Sequence, residues 1–422
     1  MACAAGYNAG LRTYAAMSGA SVSTHPLYEA PREAPTYTLE TNFGHIDHQI
    51  KSCWVNGGRY WRMEATLSGE SRGVAEMFSA GVCAPWQCNR TGVERWVMPR
   101  FIQHSFREWL TEEPQIERIR AVELSAWSLL DLDFVTAGVW GCGTFSLFNN
   151  LAKHPGITFS HDGVVDSSLF QWDLAPHRAK AERLNRRIRG RQERRAGRSA
   201  RGLSNSMMFS TQHARLALAQ MDRLQVIMIV CDPVSRFEKA FFQDHQCGPG
   251  EAVGTSKPKG GRCHRSIASV LDDPELLDRY SVAQDLVAMS QLFGERLFVL
   301  HQEHLRSFPH SAYNALAEHL GIGDFPLGVQ FHRYNSRLGP RTGLCANATL
   351  LAALKAHFER DYEVNELFTL GEGGPEMARR MRMTRCDRPE ELAQRANCPG
   401  NASRVHPRCR YQHLQQQQQQ HG

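Results

Sequence analysis

The chain of 422 residues has no hydrophobic run close to the ~18–20 residues that a membrane-spanning helix needs. Its longest clean apolar run covers residues 226–230 and their neighbours. The first twenty residues lack a basic region followed by an apolar stretch, which argues against a signal peptide. No membrane anchor is visible, so the chain is either cytoplasmic or lacks its targeting segment in this sequence.

Repeats at solenoid spacing and coiled-coil or collagen composition are also absent from the sequence. Hydrophobic residues make up 42% of the chain and charged residues 22%. This is the balance of a globular protein, and the length suits two domains or one large α/β domain.

The excess of positive charge is small, with a formal net charge of +6. It is also uneven, because residues 178–201 hold eleven basic and two acidic residues, a local charge of +9. The rest of the chain therefore carries −3. This distribution argues against a nucleic-acid-binding protein and leaves one basic strip that could meet a polyanion.

Twelve cysteines in a chain of this length are too low a fraction for a small domain held together mainly by disulfides. No paired Cys-x-x-Cys spacing is present, so we expect no metal site. Glycosylation acceptor sequences occur at Asn89, Asn347 and Asn401, which suits a secretory route.

Composition divides the chain into four parts. Residues 1–40 are rich in Ala, Ser, Pro and Thr and are predicted to be a disordered leader, and residues 391–422 a disordered tail ending in glutamines. Residues 41–129 contain several tryptophans and cysteines and form a predicted N-terminal extension, whether pinned by disulfides or merely containing cysteine. Residues 130–390 form the main predicted domain, with 178–201 as an Arg-rich insertion.

Strand and helix patterns alternate from about residue 130. Examples are the short strand-like run LDLDFVTAG and the buried-strand run LQVIMIV, which is followed by Asp232 as a natural N-cap and Pro233 in the first helical turn. The closing segment ATLLAALKAHFERDYEVNELF has helical periodicity. Alternation of this kind predicts a parallel, doubly wound α/β sheet that binds ligands at the carboxyl ends of its strands.

A glycine-rich turn follows the first predicted strand and reads GVWGCGTFSLFNNLAKHPGI over residues 138–157. Small residues let backbone N–H groups approach an anion, and the helix that follows adds its partial positive charge. Thr144 and Phe145 stand where a Walker A loop requires Lys and Ser or Thr, and the third glycine of a dinucleotide fingerprint is missing. The glycines could also simply close a tight strand-to-helix turn.

A strand, a turn ending in G-T-x-S-L and a helix ending in L-x-K-H-P resemble the 5′-phosphosulfate loop of the Golgi-type carbohydrate sulfotransferases. Those enzymes use 3′-phosphoadenosine 5′-phosphosulfate (PAPS) as co-substrate, with no metal. The resemblance implies an α/β, three-layer P-loop-like fold with a central parallel sheet, here with a Cys/Trp-containing N-terminal extension. The loop residues that it assigns to cofactor binding are Gly141, Cys142, Gly143, Thr144, Phe145 and Ser146.

A second block, IVCDPVSRFEKAFFQDH, resembles the segment of this family that binds the 3′-phosphate. Asp232 and Arg236 match that pattern, whereas Cys231 replaces the usual arginine. Lys239 stands where a serine is expected and could compensate as a phosphate ligand, or it could be an ordinary solvated helix lysine. Arg341 lies in a loop that resembles the family's glycine-basic loop over the nucleotide, and a simple surface turn is the competing interpretation.

The resemblance breaks at the catalytic lysine of the family, because Gly141 occupies its position. That lysine normally stabilises charge on the departing phosphate. A base is also needed to take the proton of the acceptor. His161, Asp162 and Asp166 are the candidate catalytic residues for that role, although Asp and His are also ordinary turn residues.

The Arg-rich strip lies between the two blocks, where family members place acceptor-binding segments. Its first half reads as an amphipathic helix that could turn Arg183, Arg186 and Arg187 toward an anionic sugar chain. A flexible insertion with no fixed partner is the alternative.

Together these features predict a PAPS-dependent sulfotransferase that moves a sulfuryl group to a hydroxyl or amine of a glycan or polysaccharide. The alternative is a catalytically impaired protein of the same fold that binds nucleotide or glycan without turnover. By family resemblance the predicted location is the Golgi lumen, with the cytoplasm as the alternative.

Overall fold

The structure of the chain is a computed structural model. It describes residues 2–9, 21–23, 38–40, 46–69, 73–101, 115–159, 178–192, 199–206, 208–210, 212–245, 247, 263–264, 266–333, 344–369 and 374–387.

A five-stranded parallel sheet forms the centre of the main domain. In the order in which they lie across this sheet, the strands are β10 (Leu297–His301), β9 (Gln225–Val230), β6 (Phe134–Gly138), β8 (Ala200–Ser204) and β7 (Ile157–Phe159). The chain runs from β6 to one side of the sheet and then crosses to β9 and β10 on the other. The strand order therefore reverses at β6, and a ligand site is expected outside its carboxyl end.

The central strands are nearly continuous apolar runs because both of their faces are covered. All five residues of β6 are buried, as are the last five of β9. Their parallel register pairs Val135 with Val226 and Gly138 with Met228. The predicted α/β fold with a central parallel sheet is confirmed.

Helices occur in both the N-terminal extension and the main domain. They are α1 (Ala2–Ala9), α2 (Ile46–Val55), α3 (Arg90–Gly92), α4 (Thr144–Leu151), α5 (Arg178–Gln192), α6 (Gln212–Ala219), α7 (Pro233–Ala240), α8 (Pro274–Asp278), α9 (Ala283–Phe293), α10 (Gln302–Ser307), α11 (Pro309–His319), α12 (Ala348–His357), α13 (Glu359–Phe368) and α14 (Gly374–Met381). Two π-helical turns cover Val93–Val97 and Phe241–His245. Short 3₁₀ turns cover Trp127–Leu129, Met208–Ser210, Ile267–Asp272, Gly294–Arg296, Leu344–Ala346 and Arg385–Asp387.

The N-terminal extension is built on a separate antiparallel sheet. Its strands are β4 (Gly73–Pro85), β3 (Gly58–Gly69) and β5 (Gln115–Glu123), in that order, and a two-stranded sheet pairs β1 (Ser21–Ser23) with β2 (Thr38–Glu40). Disulfides Cys53–Cys83 and Cys3–Cys88 crosslink this part of the chain. The second bond fastens α1, which lies within the segment predicted as a leader, to the extension.

The Arg-rich segment is ordered where the structure describes it. Its described parts lie in α5 and at the start of β8, with Ala181 and Ile188 buried in the main core. The side chain of Asn185 bonds the backbone at Leu129 and Asp131, at 2.9 and 2.8 Å. These contacts join the helix of residues 178–192 to the sheet domain.

The closing helical segment is two helices rather than one. α12 ends and α13 begins around Phe358, whose ring is fully buried and packs on Phe237 of α7 at 5.8 Å. Burial of this aromatic ring against α7 overrides the continuous helical pattern of the sequence. Among the helices described, none is long and apolar enough to span a bilayer.

Candidate functional site

A tight glycine turn connects the end of β6 to α4. Gly141 and Gly143 have φ values of +88° and +102°, a left-handed conformation that glycine adopts without steric cost. Gly143 is the N-cap of α4 and contributes no capping side chain. The amino end of this helix, with the positive end of its dipole, therefore faces the carboxyl edge of the parallel sheet.

The neighbouring strand β9 ends beside this turn and leads into α7. The carboxylate of Asp232 accepts a hydrogen bond from the backbone N–H of Ser235 at 2.8 Å, and Pro233 occupies the first turn. The predicted N-cap is thus confirmed. Because the cap fixes the start of α7, it also fixes the positions of Arg236 and Lys239 on that helix.

Arg236 places a buried positive charge at this edge of the sheet. Its side chain is only 5% exposed, and its Nη2 has no hydrogen-bond partner among the residues described. Burial lowers the pKa of Arg236 to about 10, an effect that the carboxylate of Asp361 opposes, so the guanidinium stays charged at neutral pH. A buried charge with an unsatisfied donor is costly, and an anion at this position would satisfy it.

The stem of Arg236 also lies against the glycine turn. A Cβ atom at Gly141 would come within 3.2 Å of Arg236 Cγ. A side chain at position 141 is therefore opposed twice, by the positive φ and by the arginine. The sequence places glycine at position 141, where the resemblance leads us to expect a lysine. The contact with Arg236 gives a steric reason for the glycine.

An ammonium group nevertheless reaches this turn. Lys239 Nζ donates a hydrogen bond to the carbonyl oxygen of Gly141 at 3.0 Å. Gln302, the first residue of α10, donates from Nε2 to the carbonyl oxygen of Cys142 at 3.1 Å. Helices that follow β9 and β10 thus hold two consecutive carbonyl groups of the turn.

A disulfide joins Cys142 of the turn to Cys231, which stands directly after β9. All ten cysteines in the described ranges are paired, the remaining bonds being Cys247–Cys263 and Cys345–Cys386 besides the two in the extension. Cys231, which displaces an expected arginine, is therefore a crosslink to the glycine turn.

Behind α7 lies a buried acid and phenol pair. Tyr362 donates its hydroxyl hydrogen to Asp232 Oδ1 at 2.5 Å. Burial raises the pKa of Asp232 to about 6, and burial together with this carboxylate raises the pKa of Tyr362. The carboxylate is occupied by its cap and by this phenol, so its contribution to a ligand site is to place α7.

The predicted loop residues lie together at the sheet edge with Asp232, Arg236 and Lys239. Thr144 is buried, and Gly143 lies close to Gln302, since a Cβ at this glycine would be 3.2 Å from Nε2. Cys142, Phe145 and Ser146 complete the turn and the first residues of α4. Arg341 and the candidate bases His161, Asp162 and Asp166 lie outside the described residues.

The candidate acceptor residues Arg183, Arg186 and Arg187 are all exposed on α5. The first residue of that helix, Arg178, pairs with Glu123 of the extension at 2.7 Å. The helix is therefore fixed at its amino end and presents its arginines to solvent.

Sequence reasoning did not identify Gln302, Tyr362 or the Cys142–Cys231 bond. One signal was available for the bond, because its cysteines follow two predicted parallel strands, whose carboxyl ends meet at one edge.

Over the described ranges, no group of three or more His, Cys, Asp or Glu side chains is arranged to hold a metal ion.

Comparisons with known proteins give a likeness of fold. No protein-family model and no curated protein matches the chain. Among solved structures, a sulfotransferase from Alicyclobacillus acidocaldarius is 15% identical, and the match covers 59% of this chain and 98% of that one with a TM-score of 0.40. A mouse sulfotransferase in complex with PAP is 13% identical, with 67% and 94% covered and a TM-score of 0.30.

The sulfotransferase domain of a curacin biosynthetic pathway is likewise 13% identical. That match covers 62% of this chain and 97% of that domain, with a TM-score of 0.31. At these identities the likeness concerns the fold alone.

Proposed function

We propose that this chain is a sulfotransferase that uses PAPS to transfer a sulfuryl group to a hydroxyl or amine of a glycan. The observation that carries the proposal is Arg236, a buried guanidinium with an unpartnered Nη2 beside a left-handed glycine turn. An anion of phosphate type fits that donor, since arginine and backbone N–H groups are its common ligands.

The donor nucleotide would lie across the carboxyl ends of β6 and β9. The turn from Gly141 to Ser146 would face its 5′-phosphosulfate, and Arg236 and Lys239 would supply positive charge to its phosphates. Asp232 acts through its cap on α7 rather than by contact with the anion, because its oxygens are occupied. Arg341 stays a sequence-based candidate for a further phosphate contact.

When bound, PAPS supplies a sulfuryl group whose bond to a phosphate oxygen breaks as the bond to the acceptor forms. The protein must stabilise the negative charge that develops on the phosphate and remove the proton of the acceptor. Among the described residues, Lys239 brings an ammonium group to the turn and is the candidate that would stabilise the charge on the phosphate. His161, Asp162 and Asp166 stay the sequence-based candidates for the second.

The acceptor that we propose is an anionic glycan or polysaccharide bound along α5. Exposed Arg183, Arg186 and Arg187 provide positive charge on a helix fastened to the rest of the protein. Guanidinium groups bind carboxylate and sulfate oxygens through paired hydrogen bonds. A chain of alternating acidic sugars would match this row of charges better than a small neutral sugar.

A lumenal location, the Golgi by family resemblance, agrees with the five disulfides among the described residues, because such bonds persist in oxidising compartments. Glycosylation of this chain is part of the same proposal. Asn89 and Asn347 of the acceptor sequences are exposed helix N-caps, at α3 and α12. Asn401 lies outside the described residues.

A catalytically impaired protein of the same fold is the second candidate. It is favoured by Gly141, which stands at the position of the family's lysine and cannot be replaced by a longer residue without displacing Arg236. Such a protein would bind the nucleotide and glycan without turnover.

Two measurements separate these possibilities. Calorimetry with 3′-phosphoadenosine 5′-phosphate (PAP) should show binding to the folded protein, and absence of binding would refute the donor site. Transfer of radiolabelled sulfuryl from PAPS to a mixture of glycosaminoglycans should then give labelled product. Binding without labelled product would favour the impaired protein.

A further inference from the structure

The Cys142–Cys231 disulfide lies at the carboxyl edge of the parallel sheet. Cys142 belongs to the turn between β6 and α4, and Cys231 directly follows the adjacent strand β9. Both side chains are buried, with 1% and 7% exposed, and 89 residues separate them in sequence. A covalent bond therefore connects two loops that the sequence places far apart.

Each cysteine is embedded in a different half of the proposed donor site. Gly141 and Gly143 flank Cys142, while Cys231 immediately precedes the residue that caps α7. Any change in the distance between the two cysteines moves the glycine turn relative to Arg236 on that helix. The bond thus fixes the separation between the groups that would hold the two ends of the nucleotide.

Without this bond, the turn would depend on noncovalent contacts. Its carbonyl groups accept one hydrogen bond from Lys239 and one from Gln302. The two glycines beside Cys142 have unusually free backbones, so the turn would gain conformational entropy if it were released. Ordering it again at binding would lower the affinity for the nucleotide.

We propose that the Cys142–Cys231 disulfide is the positioning element of the donor site, so that the nucleotide binds tightly only to the oxidised protein. This inference rests on the proposed function, because it concerns the same donor site. A dithiol would reverse it by exchange: each sulfur gains one electron and one proton, giving two thiols, while the dithiol becomes a cyclic disulfide.

Alanine variants test the proposal with a matched control. Cys142→Ala/Cys231→Ala removes the bond without adding a polar group to the buried site. Cys3→Ala/Cys88→Ala removes a bond of nearly equal sequence separation, 85 against 89, in the N-terminal extension. Because the entropy of loop closure depends on that length, the two variants lose a similar restraint on the unfolded chain.

Calorimetry with PAP should show at least tenfold weaker binding for the first variant and a change within twofold for the control. Circular dichroism verifies that each variant is folded at the temperature used. Equal affinities in the two variants would overturn the positioning role. Absence of PAP binding by the oxidised wild-type protein would instead overturn the donor site itself.

A measurement on the wild-type protein covers the case in which the variant fails to fold. Linkage requires that PAP protect the bond by the same factor by which the bond favours PAP. We expect saturating PAP to lower the fraction of Cys142–Cys231 that is reduced at equilibrium in mixtures of reduced and oxidised dithiothreitol, as measured by alkylation and mass spectrometry, while the reduced fraction of Cys3–Cys88 is unchanged. Equal reduction of Cys142–Cys231 with and without PAP would overturn the proposal.

Discussion

Lys239 donates a hydrogen bond to the carbonyl oxygen of Gly141 although 98 residues separate the two in sequence. The glycine stands where the resembling family has a lysine, and the lysine arrives from the neighbouring strand-to-helix connection. A positive charge is therefore present at a turn that the sequence leaves without one.

Replacement of Lys239 by Met should weaken PAP binding by ~10–100-fold, since a hydrogen bond to a charged group contributes ~1.5–3 kcal/mol. Lys239→Arg should retain part of the affinity because it keeps the charge. Calorimetry at low and high salt measures both effects. Lys51→Met, at an exposed lysine of α2, is the control. Unchanged PAP affinity in Lys239→Met would remove this lysine from the donor site.

Arg236→Met should separate stability from binding. Removal of a buried guanidinium with an unpartnered Nη2 relieves an unsatisfied donor, so the free energy of unfolding should change by only about 1 kcal/mol. On the proposed function, PAP affinity should fall at least 100-fold because the charge that would face the phosphate is lost. Denaturant unfolding and calorimetry measure the two quantities. A large loss of stability with unchanged affinity would make Arg236 a structural residue.

Gly141→Ala should destabilise the protein more than Gly328→Ala does. The two glycines have nearly the same φ, +88° and +87°, but a Cβ at Gly328 has nothing within 4 Å, whereas a Cβ at Gly141 meets Arg236. Backbone strain, about 1 kcal/mol in each, cancels in the comparison. Chemical denaturation of both variants gives the difference in unfolding free energy. Equal losses of stability would show that the Arg236 side chain moves aside without measurable cost.

Gly141→Lys, which restores the residue type of the family, should for the same reason lower PAP affinity rather than raise turnover. The transfer assay and calorimetry measure both properties. A gain in turnover would show that the turn accepts a lysine and would support the impaired-enzyme alternative for the native chain.

His301, at the end of β10, makes stability depend on pH. It is fully buried, and its Nδ1 accepts a hydrogen bond from the backbone N–H of Glu303 at 3.2 Å. Burial lowers the pKa of His301 from 6.5 to about 3. The unfolded chain therefore binds an extra proton between these values, so this contribution is full above pH 6.5 and is lost as the pH falls toward 3.

His301→Asn keeps an acceptor near Glu303 but does not titrate. The difference in unfolding free energy between wild type and variant should grow from pH 3 to pH 6.5, with an upper bound of about 5 kcal/mol. Asp232 has the opposite dependence, because its pKa is raised from 3.8 to about 6 and stability falls as the pH rises between these values. Asp232 is present in both wild type and variant, so its contribution to the unfolding free energy cancels in the difference between them. His48→Asn, at an exposed histidine, is the control.

Replacement of Arg183, Arg186 and Arg187 by Gln should weaken binding to heparin and reduce its dependence on salt, since three cations leave the proposed acceptor surface. PAP affinity should not change. A triple Gln variant at the exposed residues Arg279, Arg360 and Arg379 alters net charge equally and serves as control. If both triple variants lose heparin affinity alike, the effect is one of net charge rather than of α5.

The strand, glycine turn and helix at residues 134–151 could be predicted because their signals are local. The strand-like run, the small residues of the turn and, after the next predicted strand, the N-cap Asp232 with Pro233 each act within a few residues. The division of the closing helical segment into two helices, α12 and α13, could not be predicted from the sequence. Its break depends on the packing of Phe358 against Phe237 of a distant helix.

The sequence by itself determined the α/β alternation, the glycine turn and the concentration of charge in residues 178–201, because spacing and composition specify these features directly. Only the tertiary structure decided that Cys142 bonds Cys231, that Lys239 reaches Gly141 and that Arg236 is buried with an unpartnered nitrogen. These relationships join residues that follow different parallel strands. The register of the sheet brings the ends of those strands together, and no local pattern records it.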